Sequence, residues 1–418
     1  MEHFDVLVLG SGSGLEIVEQ AAARDLSVAL VEPGPMGGTC LNVGCIPSKM
    51  LIAAADAVAD LERASRLGVK TTTTAVDFGS IMSRMRQSRA HMRQHLSGTA
   101  LPGVKAFHKP AVFVSPHVIR TGVTKIEARQ VFIAAGARPS IPPIPGLDGV
   151  DYLTNDSVLE LKERPESLII MGGGYIAVEY CHFFAAMGTK VTVIEMMDRL
   201  VTSEEPEVSA GLQRALSRRA RILTGMKVEA VSRTAGGVSV SARRSTDGKV
   251  QRLQAGRLLV AVGRRSNADV LKTAEAGIDT DRRGFVTVDS RMRTSQPDVY
   301  AVGDITGKAM FRHAANVQAL VAAANAFDSA DVDMDYRAIP HAVYSHPQIA
   351  SVGLTEAQAR EAGLDVVTTT TPYADVAKGQ ALLEYEGFTK AVVERTTERI
   401  LGFHILGPYA PILIQEVV

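Results

Sequence analysis

An α/β architecture with two parallel sheets and a separate C-terminal α/β segment is predicted by three observations. Residues 4–32, FDVLVLGSGSGLEIVEQAAARDLSVALVE, and residues 167–195, SLIIMGGGYIAVEYCHFFAAMGTKVTVIE, share one pattern. Each reads as an apolar strand, a glycine turn, about three turns of helix and a second apolar strand closing on Glu. Continuous apolar strands alternating with helices indicate parallel strands covered on both faces. From about residue 336 the pattern changes, and HAVYSHPQIASVGLT and FTKAVVERTTERILGFHILG read as strands of a mixed α/β segment.

In the first unit Gly10 permits the tight turn and Gly12 lets the backbone approach a pyrophosphate. A helix starting near Gly14 would turn unpaired N–H groups and its positive dipole end towards the phosphates. A third glycine is expected at position 15, where the chain has Leu15, so the helix–strand contact is expected to loosen unless Gly14 compensates. Glu32 is placed to accept hydrogen bonds from an adenosine ribose. The second turn, Gly172-Gly173-Gly174, carries Ala177 at the third position, and its strand ends in Glu195. A carboxylate there suits a free ribose 2′-hydroxyl and repels a 2′-phosphate, which favours NAD(H) over NADP(H); Arg199 argues the other way. Three more apolar strands run into glycine, at 130–139, 257–265 and 298–304, as suits backbone passing close to a ligand. IPPIPG, residues 141–146, is a natural boundary, and 222–256 reads as short alternating strands in a β-rich lobe.

The 418 residues are 46% hydrophobic and 22% charged, enough for two to four domains with ample cores. Forty-five basic and 45 acidic residues cancel, so charge gives no reason to expect nucleic acid or an anionic membrane as partner. The N-terminus has no basic region ahead of its first strand, and no apolar run of about 18 residues stands out. A cytoplasmic protein is expected.

Two of the three cysteines lie in GGTCLNVGCIPSK, residues 37–49. Reducing compartments rarely keep structural disulfides, so the close pair Cys40 and Cys45 points to catalysis or metal binding. The C-x₄-C spacing has no second Cys or His pair at ligand spacing, which disfavours zinc. A helix beginning near Cys45 would put Lys49 one turn along on the same face, where a cation favours the reactive thiolate. Cys181, on the second glycine helix, reads as a small core residue. Two dinucleotide units with a cysteine pair point to electrons moving between nicotinamide, a flavin and a disulfide.

The stretches GGTCLNVGCIPSK, GGGYIAVE, VGRRSNAD, AVGD and VGLTE resemble, in order and along the whole chain, the flavoprotein pyridine nucleotide–disulfide oxidoreductases. The resemblance implies two Rossmann-like domains and a C-terminal α/β dimerisation domain: an FAD-binding domain over 1–145 and 266–335, an NAD(P)-binding domain over 146–265, and an interface domain over 336–418. It implies FAD on the first unit, nicotinamide on the second, and a homodimer acting on a small or lipoyl-borne thiol or disulfide. By this pattern Cys40 meets the substrate sulfur and Cys45 faces the flavin, while Lys49, paired with Glu179, tunes it. Thr39, Gly136, Asp304 and His313 join the flavin set; Tyr175, Ile176 and Gly263 join the cofactor set. Glu195 points to a dihydrolipoamide dehydrogenase-like enzyme. GSGSGLEIV and YADVAKGQALLEYEGF point instead to the mycothione and bis-γ-glutamylcystine reductases. Family members continue past LGFHILGPYAPILIQEVV into a segment whose His, from the partner subunit, is the acid–base catalyst for Cys40. These residues hold no such pair, and His404 does not fill the role. A placed His contributes about 10²–10⁴-fold, so the expectation for a chain ending at Val418 is flavin reduction by NADH with severely reduced disulfide turnover. An impaired flavin-binding subunit and a diaphorase are the corresponding other readings.

Overall fold

A computed structural model describes residues 1–70, 75–98 and 102–418. The chain forms two compact units. One comprises 1–47, 87–139 and 264–336; the other comprises 48–86, 140–263 and 337–418.

In the first unit, strand Glu2–Leu9 lies between Val28–Val31 and Thr124–Ile133, parallel to both. Val104–Phe107 extends the parallel sheet beyond Val28–Val31, and Val299–Ala301 adds to Thr124–Ile133. An antiparallel pair, Ala111–Ser115 and Val118–Thr121, completes seven strands. The core consists of the apolar runs seen in sequence: Leu7, Leu9, Ala29, Val31, Val131 and Ile133 are all nearly inaccessible. Helix α1 (Gly14–Ala22) buries Ile17, Val18 and Ala21, one face at helical spacing. A Cβ on Gly14 would lie 2.8 Å from Val8 Cγ1 and 3.2 Å from Ala134 Cβ. Gly14 therefore makes the close helix–strand contact, and half-buried Leu15 does not need to. Helix α2 (Gly38–Asn42) follows, and helix α3 (Cys45–Arg66) begins at the second cysteine. Helix α4 (Phe78–Gly98) comes next in the chain.

In the second unit five parallel strands run in the order Arg221–Leu223, Lys190–Ile194, Ser167–Met171, Arg257–Val260, Tyr152–Leu153. Helix α5 (Tyr175–Ala186) is buried from Ala177 to Phe184. The expected β-rich lobe is an antiparallel sheet of Met226–Thr234, Gly237–Arg244 and Val250–Ala255. Its Val228, Val238, Val240 and Leu253 pack in one core with Ile169, Ile194 and Leu258. After residue 336 comes an antiparallel five-stranded sheet, His341–Val343, Ile349–Gly353, Ile400–Leu406, Phe388–Glu394 and Val366–Pro372.

By length and hydropathy alone, Gly38–Arg66 would reach across a bilayer, a stretch that the sequence reading passed over. In the fold its charged side chains are answered by protein groups, Lys49 by Glu179 and Asp56 by His182.

Candidate active site

Gly10 has φ +104°, and a Cβ there would lie 2.4 Å from the carbonyl oxygen of Ala134, so only glycine fits. Helix α1 carries no side-chain cap at its N-terminus, as a phosphate-binding helix end requires. Glu32 already accepts from Ser11 N–H at 2.9 Å, from Ser11 Oγ at 2.7 Å and from Gly34 N–H at 2.9 Å. A carboxylate offers about four lone-pair sites, which leaves room for a ribose hydroxyl.

The same turn holds the cysteine motif. Gly37 N–H donates to Ser11 Oγ at 2.9 Å, and a Cβ on Gly38 would fall 2.6 Å from Gly12 Cα. The GG of GGTC is thus a close backbone approach to the first glycine turn. Within the motif, a Cβ on Gly44 would come within 3.0 Å of the Thr39 carbonyl oxygen and 3.3 Å of Cys40 Cα. Glycine at 44 lets the chain double back, with Thr39 exposed, Cys40 half-buried and Cys45 exposed. Asn42 fastens the loop: its Nδ2 donates to the carbonyls of Pro35, Met36 and Gly38 at 2.9–3.0 Å, and its Oδ1 accepts from Arg93 Nε at 2.5 Å. Sequence reading missed Asn42 as a support, although it stands inside the quoted motif; Arg93 gave no signal.

Elsewhere in this unit Gly136 has φ +64° with open space where a Cβ would sit, so it is the backbone angle that calls for glycine. Asp304 is half-buried 3.4 Å from Arg264 Nε, a buried atom with no hydrogen bond of its own. Burial raises the Asp304 pKa, against the pull of Arg264. A half-buried carboxylate beside a buried N–H that lacks a hydrogen bond suits a ligand bearing hydroxyls, as the ribityl chain of FAD does. His313 is exposed and stacks on Phe311.

In the second unit Lys49 Nζ donates to both oxygens of Glu179 at 2.9 Å, and Tyr344 N–H donates to Oε1 at 3.0 Å. Glu179 is 5% exposed. A buried carboxylate without such partners would cost several kcal/mol (of order 3–5 when a buried pair is broken), so the pair is built rather than incidental. Lys49 also lies over the Tyr344 ring, 4.5 Å from its centroid. Tyr344 went unread in the sequence.

Gly172, φ +114°, repeats the geometry of Gly10, with Ala261 O 2.3 Å from a would-be Cβ. A Cβ on Gly173 would meet the Glu195 carboxylate at 2.8 Å, so this acid lies directly against the turn. Glu195 is buried and accepts from Met197 N–H at 2.7 Å. Gly174, Tyr175 and Gly263 are exposed and Ile176 is half-buried. Arg199 donates to the Thr202 carbonyl at 2.9 Å. Cys181 is fully buried, its thiol pushed up to about 12 by burial, so it is inert. His404 is buried too, its Nε2 3.1 Å from the Leu354 carbonyl.

Two glycine turns with adjacent acids, a close cysteine pair and a buried glutamate paired with a half-buried lysine define a nucleotide-dependent disulfide oxidoreductase. Residues 4–319 match the pyridine nucleotide-disulphide oxidoreductase family and residues 339–418 match its dimerisation domain; the chain belongs to this family. It is similar to mercuric reductase of Streptomyces lividans, 37% identical over 96% of this chain and 86% of that protein. Mycothione reductase of Mycobacterium tuberculosis is 36% identical over 100% and 92%. Dihydrolipoyl dehydrogenase of Chlamydia pneumoniae is 34% identical over 99% and 90%. A Cu(II) complex of the HOCl-induced flavoprotein disulfide reductase RclA from Escherichia coli superposes with a TM-score of 0.88 at 28% identity, covering 100% of this chain and 92% of that one. The chain is therefore a flavoprotein disulfide oxidoreductase that uses FAD and a pyridine nucleotide.

Proposed function

We propose that the chain is an NAD(H)-linked, homodimeric dithiol–disulfide oxidoreductase of the dihydrolipoamide dehydrogenase type, with FAD on the Gly10 turn and the nicotinamide dinucleotide on the Gly172 turn. The observation that carries the redox reading is the Lys49–Glu179 pair, whose lysine lies on the helix that Cys45 begins. FAD, when bound, carries the electron pair between the nicotinamide and the cysteine pair. In the direction of disulfide reduction, the Cys40 thiolate attacks a substrate sulfur, the substrate S–S bond breaks and one substrate thiolate leaves. Cys45 then attacks the Cys40 sulfur, forming the Cys40–Cys45 disulfide and releasing the second substrate thiol; dihydrolipoyl oxidation is the reverse. Lys49, held by Glu179, supplies positive charge four residues after Cys45 on the same helix, and Asn42 with Arg93 keeps the cysteine loop in place.

NAD(H) is favoured because the Glu195 carboxylate lies against the turn and the residues after it, Met196 and Met197, carry no charge to meet a 2′-phosphate. Exposed Tyr409, Ile412 and Leu413 in the segment matching the dimerisation domain support the homodimer. Residues 373–388 and the full-length similarity to mycothione reductase favour a second reading, reduction of a low-molecular-weight disulfide. A comparison of kcat/KM for lipoamide and low-molecular-weight disulfides, each with NADH and NADPH, tests the proposal. Preference for lipoamide with NADH supports it; preference for NADPH with a small disulfide establishes the second reading.

A further inference from the structure

A second cluster of side chains lies on the same elements that build the Lys49–Glu179 pair and takes no part in it. Asp56 on α3, His182 on α5 and His346 after strand His341–Val343 each bring one donor atom within 4.8 Å of the others. His182 Nε2 lies 2.9 Å from Asp56 Oδ1, and the His346 ring stacks on His182 with centroids 5.4 Å apart and planes 18° from parallel. The His182 side chain is fully buried and its Nδ1 has no hydrogen-bond partner.

The plain alternative is a buried Asp–His hydrogen bond with a second imidazole packed on it. That account explains Nε2 of His182. It does not explain why a second histidine is held against the first, with a donor atom within 4.8 Å of the same carboxylate. A neutral imidazole nitrogen is a common ligand of borderline divalent metals.

We propose that Asp56, His182 and His346 bind one borderline divalent cation of the zinc type. Two imidazoles and one carboxylate are a three-ligand zinc set that leaves a fourth position for water. Tetrahedral bonds of about 2.0–2.2 Å place ligand atoms roughly 3.3–3.5 Å apart; the donor atoms here lie within 4.8 Å of one another, so binding requires side-chain rotation that turns the His346 ring out of its stack on His182. The neighbouring cations are already answered by their own carboxylates, Arg219 by Glu62 and Arg63 by Asp60. Asp56 and His346 are only partly buried, which leaves a way in from solvent. The site is also placed to matter. Asp56 follows Lys49 by seven residues, His182 follows Glu179 by three and His346 follows Tyr344 by two. A cation clamping the first set of positions braces the junction that holds the second.

The test uses the FAD-loaded Cys40→Ser/Cys45→Ser protein, so that the redox thiols cannot take the metal, titrated with Zn(II). One tight equivalent per chain is expected, with a Tm rise of several degrees and an X-ray absorption shell of N/O ligands without sulfur. Asp56→Asn and His346→Gln, introduced separately with FAD content and circular dichroism as folding checks, should each weaken binding at least tenfold and remove the Tm rise. Absence of a tight equivalent overturns the proposal. So does a tight equivalent that either folded variant leaves unchanged; partly exposed Asp56 keeps the test decisive if His346→Gln does not fold.

Discussion

The two glycine turns are near copies in backbone and opposites in surroundings. Gly10 and Gly172 share a positive φ and the same steric stop, a strand carbonyl 2.3–2.4 Å from any Cβ. Around the first, Ser11, Ser13 and Gly14 are buried, and Ser11 bridges Glu32 to Gly37 of the cysteine motif. Around the second, Gly174 and Tyr175 are exposed, as are Met196, Met197, Val262 and Gly263. The first turn is sealed on its Ser11 side by the redox motif, with Gly10 and Gly12 half-buried; the second, where Gly172 and Gly173 are buried, is open to solvent from Gly174 onward. That difference matches a cofactor that stays and a cofactor that comes and goes.

The largest effects break the two turns separately. Gly10→Ala should strip FAD and lower the yield of folded protein, because strained backbone costs about 1–3 kcal/mol even before the overlap with Ala134. Gly172→Ala should leave FAD bound while abolishing reduction by NADH. FAD content and stopped-flow reduction separate the two outcomes, and loss of FAD in both variants would remove the distinction between sealed and open.

Next in size is cofactor choice at the open turn. Glu195→Arg should move the NADH/NADPH ratio of kcat/KM towards NADPH by at least tenfold, about 1.4 kcal/mol; an unchanged ratio would show that Glu195 does not face the ribose. The corresponding lesion on the helix that Cys45 begins is Lys49→Met. Loss of its charge should slow flavin reduction by roughly tenfold, equivalent to about 1.4 kcal/mol of barrier, with NADH affinity little changed. A selective change in NADH affinity would place Lys49 in the wrong role.

The smallest effect sharpens the sealed side. Arg138 holds Asp269 with paired bonds of 2.8 and 2.6 Å, two residues beyond Gly136. That hydrogen bonding lowers the Asp269 pKa to about 2 from its ordinary 3.8. A carboxyl depressed on folding contributes stability above about 3.8 and loses it as pH falls towards 2. The Tm gap between the native protein and Asp269→Asn should therefore shrink across that window. The pair is half exposed, so the gap is small at any pH.

Much of this was legible in the sequence because the chemistry is local. A βαβ unit is continuous, so its apolar runs, glycines and closing acid stand in order, and C-x₄-C with Lys49 lies on one short stretch. What escaped reading depends on residues far apart in the chain. Tyr344 meets Glu179 across 165 positions, and Arg93 reaches Asn42 across 51. Leucine at 15 shows in the sequence that the close helix–strand approach cannot be made there. That Gly14 makes it instead is visible only in the distance to Val8. The long apolar character of Gly38–Arg66 likewise has its answer in partners on α5, which no local window contains.

The proposed role of Cys45 is to exchange electrons with the flavin. Anaerobic titration of the FAD-loaded protein with NADH tests it most directly. A long-wavelength thiolate–flavin charge-transfer band should appear and should vanish in Cys45→Ser. Complete bleaching of the flavin without that band would rule out that role for Cys45.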